Sequence, residues 1–367
     1  MNIRYNPSLD GLRAVAVFIV MAAHGGWGFL RSGDIGVDIF FVLSGYLITS
    51  ILSAEAEARG CISLRNFYMR RVLRLAPCLV MVVAFFVIST YLLQHQVPWS
   101  NALIALTYTA NWAATINDDK LNAVAHCWSL ATEEQYYLIW PFVIALLERT
   151  QRGALTKGLL LLNLALLFAL YRFSMVGTFS AGRIYFGLDT HIDGLILGSA
   201  LSYLLRSGIN LRFAAYAVPP SLIGLALIPH FLSWRDPLMG KYGFALVAVM
   251  SALIITTLVT RREALITRLL RTRPLVFIGR ISYGLYLWHL PIFVALAPFL
   301  PHASFRVSFL LKLAVTLTVA CASYYLVELP FLRLKRRFDS RSNASPATFN
   351  LPAAPGSANE GSAALER

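Results

Sequence analysis

The sequence predicts an all-α integral membrane protein, a bundle of about ten transmembrane helices with both termini in the cytoplasm. Three observations carry this expectation. First, 57% of the 367 residues are apolar and only 14% are charged, at a mean hydropathy of +0.64, whereas a soluble domain carries about 25% charged residues. Second, apolar stretches of about 20 residues, long enough to cross a bilayer, recur along the chain. Third, the arginines and lysines collect in alternate connections, which orients the bundle by the positive-inside rule.

In chain order the spans are placed near 11–30, 36–54, 76–95, 128–147, 158–172, 188–205, 213–232, 242–260, 281–300 and 307–328. The run 99–112 is short for a span and reads as an interfacial or re-entrant piece. The first span resembles a signal peptide, but no clear A-x-A cleavage site follows it, so it is read as a retained helix. One membrane domain is therefore expected over 1–338. The tail, 339–367, is rich in Ser, Ala, Asn, Pro and Gly; it has too little apolar surface to offset its ordering entropy and is expected to be disordered.

The net charge of +14 is a topology signal before it is anything else. Arg59, Arg65, Arg70, Arg71 and Arg74 lie in one expected cytoplasmic connection, and Arg261, Arg262, Arg268, Arg271, Arg273 and Arg280 in another. A nucleic-acid footprint is not expected; anionic lipid or an anionic cytosolic ligand are the secondary readings. Cys61, Cys78, Cys127 and Cys321 are scattered, with no C-x-x-C pair and no histidine at ligand spacing, so neither a disulfide framework nor a metal site is expected.

Polar side chains inside spans are costly, about 2.5–3.5 kcal/mol for a charge at a helix centre, so each needs a partner or a purpose. In "LDGLRAVAVFIVMAAH", Arg13 and His24 are eleven residues apart, which puts them on one helix face roughly 16 Å apart. Arg13 is placed at the cytoplasmic boundary, where it either snorkels or binds, and His24 near the bilayer midplane. In "GDIGVDIFFVLSGYLIT", Asp38 enters from outside as a possible N-cap or site residue, while Ser44 and Gly45 lie near the depth of His24 and suit close helix packing.

The segment "RNFYMRRVLRLAP" is read as a cytoplasmic loop closing with Pro77 at the next helix start. Its Arg70, Arg71 and Arg74 suit either orientation or a phosphate-rich ligand, because guanidinium forks bind phosphate in a bidentate way. In "AHCWSLATEEQYYLIWP", Ser129 is a candidate N-cap, and His126, Glu133, Glu134 and Gln135 crowd an outer helix entrance. "GRIYFGLDTHIDGLILGSAL" brings Asp189, His191 and Asp193 to another, with Asp189 and Asp193 on one face. "GRISYGLYLWHLPI" buries His289, read first as structural, and Glu328 near the cytoplasmic face could pair with Arg13 or a loop arginine.

These motifs, with "YYLVELPF", occur in an order that resembles the acyltransferase 3 family of integral membrane acyltransferases over roughly 5–338. The combination of Arg-x10-His, G-V-D-x-F-F-V-L-S-G-Y-L-I and H-x-W-S-L is specific. The resemblance implies transfer of an acyl group, usually acetyl, from cytosolic acyl-CoA to a carbohydrate hydroxyl. Typical acceptors are O-antigen, capsular or exopolysaccharide units, peptidoglycan, lipochito-oligosaccharides such as nodulation signals, and macrolides. It implies a bacterial cytoplasmic (inner) membrane location and assigns Arg13 and His24 to the essential first-helix pair. Arg70, Arg71 and Arg74, with Arg13, go to the acyl donor, and His126, Ser129 and Glu133 to the outer motif. No fused SGNH-type esterase domain is seen, so a second transfer step would need another protein.

Acyl transfer needs bound CoA as donor substrate, a base for the hydroxyl proton and stabilisation of an oxyanion. His24 is expected as the general base or as an acyl carrier, with Asp38 or Glu133 orienting its ring. Ser44 and Tyr46 are candidate oxyanion donors. A proton-coupled transporter and a non-catalytic scaffold are the rival classes.

Overall fold

The computed structural model describes residues 5–29, 35–335 and 338, apart from the side chains of 118–120. The tail expected to be disordered, 339–367, lies outside the described residues. The described chain is helical throughout: α1 (Pro7–His24), α2 (Ile35–Arg59), α3 (Leu64–Gln94), α4 (Trp99–Leu106), α5 (Ala110–Ile116), α6 (Cys127–Arg149) and α7 (Ala154–Met175) form its first half. The second half comprises α8 (Ala181–Phe186), α9 (Leu188–His191), α10 (Asp193–Arg206), α11 (Ala214–Phe231), α12 (Phe244–Thr260), α13 (Leu265–Leu270), α14 (Arg273–Arg280), α15 (Ser282–Leu296), α16 (Phe305–Ser323) and α17 (Leu329–Lys335).

Among the described residues, eight helical segments are long and apolar enough to cross a membrane. They correspond to α1, α2, α3, α7, α11, α12 with the turn before it, α15 with the turn after it, and α16 continued through α17. The other two expected spans correspond to α6, which carries Glu133 and Glu134, and to the α8–α10 region, which is not one helix. The run 99–112 becomes two short helices, α4 and the start of α5.

Three local features set the positions that matter for a site. Asn6 caps α1 by accepting from the Ser8 N–H at 3.2 Å, and Pro7 takes the first helical position. The helix therefore starts four residues before the expected span, and His24 becomes its last residue. Helix α3 starts at Leu64 and runs straight through Pro77. Arg70, Arg71 and Arg74 thus lie on its first turns, not on a loop, and Pro77 lies inside it. A proline forfeits one backbone bond, which neighbouring elements of a membrane bundle can make good.

The third feature is the break between α9 and α10 at Ile192. It separates Asp189 from Asp193, which do not share a helix face. Arg172 of α7, wholly buried, stabilises the break. Its Nη1 donates to Thr190 O (3.0 Å) and pairs with Asp193 Oδ1, and its Nε donates to Gly240 O (3.0 Å) in the π-helical turn Met239–Gly243. A guanidinium in this position satisfies carbonyls that irregular backbone frees from the helical ladder.

Helix α10 packs most extensively against α2 and α7, and α1 against α14. The α2–α10 crossing is close because Gly45 and Gly198 face the partner backbone. A Cβ on Gly45 would stand 1.8 Å from Leu195 O, and one on Gly198 2.0 Å from Val42 O. Small residues let membrane helices approach to this degree.

Candidate active site

At the end of the bundle where α1 begins and α2, α10 and α12 finish, a cavity of about 880 Å³ opens. Among the described residues, six arginines line it (Arg13, Arg71, Arg74, Arg206, Arg262 and Arg271) against one carboxylate, Asp10. Tyr46 lies on the same wall. Arg13 pairs with Asp10 at 3.2 Å, the other Asp10 oxygen accepts from Tyr5 OH at 2.6 Å, and Arg280 donates to that hydroxyl at 3.1 Å. Burial and the bond to Asp10 push the Tyr5 phenol above its usual range, so it stays a neutral donor and the carboxylate stays fixed. Arg71 packs over the Tyr137 ring, 4.5 Å from its centroid. Arg74 makes no hydrogen bond or ion pair among the described residues.

The three arginines of α3 are not equivalent. Arg70 turns away from the cavity and donates to Glu55 Oε2 (3.1 Å) and to Phe338 O (2.9 Å). Arg71 and Arg74 line the chamber; Arg70 does not. Arg206, Arg262 and Arg271 belong to it although the sequence marks them only as orientation signals.

A narrow recess of about 90 Å³ continues from the chamber and shares Arg13, Ser44, Arg71, Arg74 and Tyr137 with it. It runs between α2 and α6 to Ser129, Glu133 and Tyr286. Ser44 Oγ donates to Glu133 Oε1 at 2.6 Å, so Ser44 is a partner of the glutamate as well as a small residue at a helix contact. Ser129 is not an N-cap: α6 begins at Cys127, and Ser129 Oγ meets Tyr286 OH at 2.6 Å. Tyr286 OH also donates to His126 O at 2.8 Å. Gln135 braces the neighbouring loop by donating to Tyr108 O (2.8 Å) and Asn111 Oδ1 (2.9 Å).

Beyond Tyr286 stand three histidines. The His289 ring lies 5.1 Å from that of His24 and 5.1 Å from that of His126, centroid to centroid. His289 Nε2 meets His24 Nδ1 at 3.1 Å, and His289 Nδ1 donates to Tyr286 O at 2.5 Å. His126 Nε2 donates to Leu287 O at 3.1 Å. His126 and His289 are buried, whereas His24, at the end of α1, is exposed. Among the described residues, no three His, Cys, Asp or Glu side chains are arranged to hold a metal ion.

Several expectations are corrected here. His24 is the last residue of α1, because the helix ends there, before Gly25, instead of running on to residue 30. Its ring is met by His289, not by Asp38 or Glu133, so His289 belongs to the site. Asp38 instead meets His191 Nε2 at 2.7 Å, while His191 Nδ1 donates to Tyr185 O at 2.7 Å. Asp189 pairs with Arg183 at 2.7 Å, and Asp193 with Arg172. His191 nevertheless reaches the site's frame, since its ring stacks on Trp128, next to Ser129. Glu328 makes no pair with Arg13, which Asp10 holds; it is buried beside Cys78 and Ser323, and the arginine it feels is Arg74.

Fold and site together define a multi-pass helical membrane protein with a basic chamber, a recess that reaches Tyr286, and an imidazole cluster packed behind that tyrosine. The family model for acyltransferase domains of the acyltransferase 3 type matches residues 6–325, and the chain belongs to that family. It is 32% identical over 354 residues to the peptidoglycan O-acetyltransferase OatA of Listeria monocytogenes, which covers 89% of this chain and 56% of the relative. It is also 32% identical over 346 residues to the O-acetyltransferase OatA of Staphylococcus aureus, covering 89% of this chain and 57% of the relative. The chain thus spans a little over half the length of these relatives. No solved structure matches it.

Proposed function

We propose that the protein is a membrane O-acyltransferase of the bacterial cytoplasmic membrane. It moves an acetyl or other short acyl group from cytosolic acyl-CoA to a hydroxyl of an exported or cell-surface glycan. The observation that carries this reading is the arginine-lined chamber and the recess that extends from it to Ser129 and Tyr286, the tyrosine whose backbone carbonyl holds His289 beside His24. Arginine forks suit the phosphates of CoA. The chamber takes those phosphates, and the acyl arm extends along α1 from Arg13 towards His24, roughly 16 Å at 1.5 Å per residue.

At the far end the acceptor oxygen attacks the thioester carbon. The C–O bond forms, the C–S bond breaks with its electron pair on sulfur, and the hydroxyl proton passes to an imidazole. In the relay variant the His24 imidazole first attacks the thioester carbon, and the C–S bond breaks to release the CoA thiolate. The acceptor oxygen then attacks the acyl carbon, the C–N bond breaks and the hydroxyl proton passes to the freed imidazole. The names of the relatives favour a cell-wall or surface carbohydrate as acceptor, and the same chemistry serves exopolysaccharide or lipochito-oligosaccharide.

The test uses membranes containing the protein, acetyl-CoA labelled in its acetyl group, and an acceptor glycan. Wild type should label the glycan, and His24→Ala should lower the rate by at least about a hundredfold, the lower end of what a general base contributes. Equal labelling by both would refute the role of His24. Glycan that crosses the bilayer unlabelled would replace the enzyme with a transporter.

A further inference from the structure

We infer that His289 is a positioning residue that fixes the tautomer of His24 and so selects His24 Nε2 as the reacting nitrogen. The inference deepens the acyltransferase reading above and rests on it for the chemistry, but the tautomer itself follows from hydrogen-bond geometry alone.

A backbone carbonyl can only accept. His289 Nδ1 lies 2.5 Å from Tyr286 O, so that nitrogen carries a proton and donates it. His289 is wholly buried, and its nitrogens face a carbonyl and another imidazole. A second proton on it would be a buried charge with no anion in contact among the described residues, which is costly. His289 is therefore neutral, and its Nε2 offers a lone pair. The nitrogen opposite, His24 Nδ1 at 3.1 Å, must then be the donor. With its one proton on Nδ1, neutral His24 has a deprotonated Nε2.

The neighbouring histidine is fixed by the same rule in the opposite sense. His126 Nε2 donates to Leu287 O, leaving Nδ1 deprotonated, and that atom has no hydrogen-bond partner among the described residues. The three rings thus have assigned tautomers: Nδ1–H on His289, Nδ1–H on His24 and Nε2–H on His126. Two of them are set by backbone carbonyls, and the third, on the exposed residue, is set by its neighbour.

This bears directly on the reaction. Whether His24 takes the hydroxyl proton or the acyl carbon, the lone pair that does so is on Nε2. In either case the resulting imidazolium keeps its Nδ1–H bond to His289. As general base, His24 receives the proton while the C–O bond forms and the C–S bond breaks; the thiolate then takes a proton as CoA leaves. A carboxylate commonly holds the second nitrogen of a catalytic histidine. Here an imidazole, itself held by a carbonyl, does so.

The test has two readouts on the full-length protein in lipid bilayers. With nitrogen-15-labelled histidine, solid-state NMR separates protonated from deprotonated ring nitrogens, and the His24 signals are assigned by their loss in His24→Gln. Wild type should show His24 protonated at Nδ1 and deprotonated at Nε2. Replacing His289→Phe, an aromatic without an acceptor, should abolish that preference and lower kcat at least tenfold, while KM for acetyl-CoA stays within twofold. His289→Gln, whose amide oxygen can accept from Nδ1–H, should recover much of both.

A proton on Nε2 of neutral His24 in the wild type would overturn the proposal, as would an unchanged tautomer in His289→Phe. If that variant does not fold, the wild-type spectrum still decides. Failure of the wild type to label any glycan would instead sink the acyltransferase reading, with the tautomer assignment intact.

Discussion

Arg71 and Arg74 face the chamber without ion-pair partners among the described residues, while Arg70 is held by Glu55 and the Phe338 carbonyl. A charge-assisted hydrogen bond contributes about 1.5–3 kcal/mol, so Arg71→Ala or Arg74→Ala should each raise KM for acetyl-CoA by at least about tenfold. Arg70→Ala should leave KM within about twofold; a rise equal to that of its neighbours would contradict the chamber assignment. At this scale the sequence is informative where a residue is costly on its own. Arg13, His24, Asp38 and Glu133 stand out because they interrupt apolar runs. Their partners do not stand out. Asp10, three residues before Arg13 on α1, is the local exception; that His289 holds His24 and that His191 holds Asp38 depends on helices far apart in the chain. Spacing along one helix cannot reveal such pairs.

Among the helices, the irregular ones carry the information. The α9–α10 break and the Met239–Gly243 turn free carbonyls, and one guanidinium, Arg172, bonds to both. Removing one member of a buried ion pair costs about 3–5 kcal/mol. Arg172→Met should therefore lower the midpoint of detergent-induced unfolding sharply. The double change Arg172→Met with Asp193→Leu should recover part of the loss, since no lone carboxylate remains. If the double variant is no more stable than the single one, the ion pair is not what Arg172 contributes. The helices themselves were legible from apolar length, but several boundaries were not. "GLDTHIDGLILGSAL" reads as a continuous helix because the agent of the break lies on α7. Pro77 reads as a helix start because its sequence context does not show which neighbours make good the lost backbone bond.

For the whole molecule, the arginines gather at one end of the bundle and the histidine cluster lies beyond the recess. By the positive-inside rule the arginine end is the one expected to face the cytoplasm. The native cysteines test this directly, because Cys61 is exposed between α2 and α3 while Cys78 and Cys127 are buried. A membrane-impermeant maleimide should label the protein in inverted vesicles and not in intact cells, and Cys61→Ser should remove the signal. Labelling from outside would reverse the orientation. The expected polarity rests on charge counts alone. The chamber was not, because its wall is assembled from the ends of α1, α2, α3, α10, α12 and α13.

The recess between chamber and histidines has a consequence for the cell's energy supply. Its space of about 90 Å³ is small enough that, in the transfer proposed above, an acyl arm entering it would fill it. A passage that a substrate plugs as it works can carry an acyl group from one face of a bilayer to the other without short-circuiting the ion gradient across it.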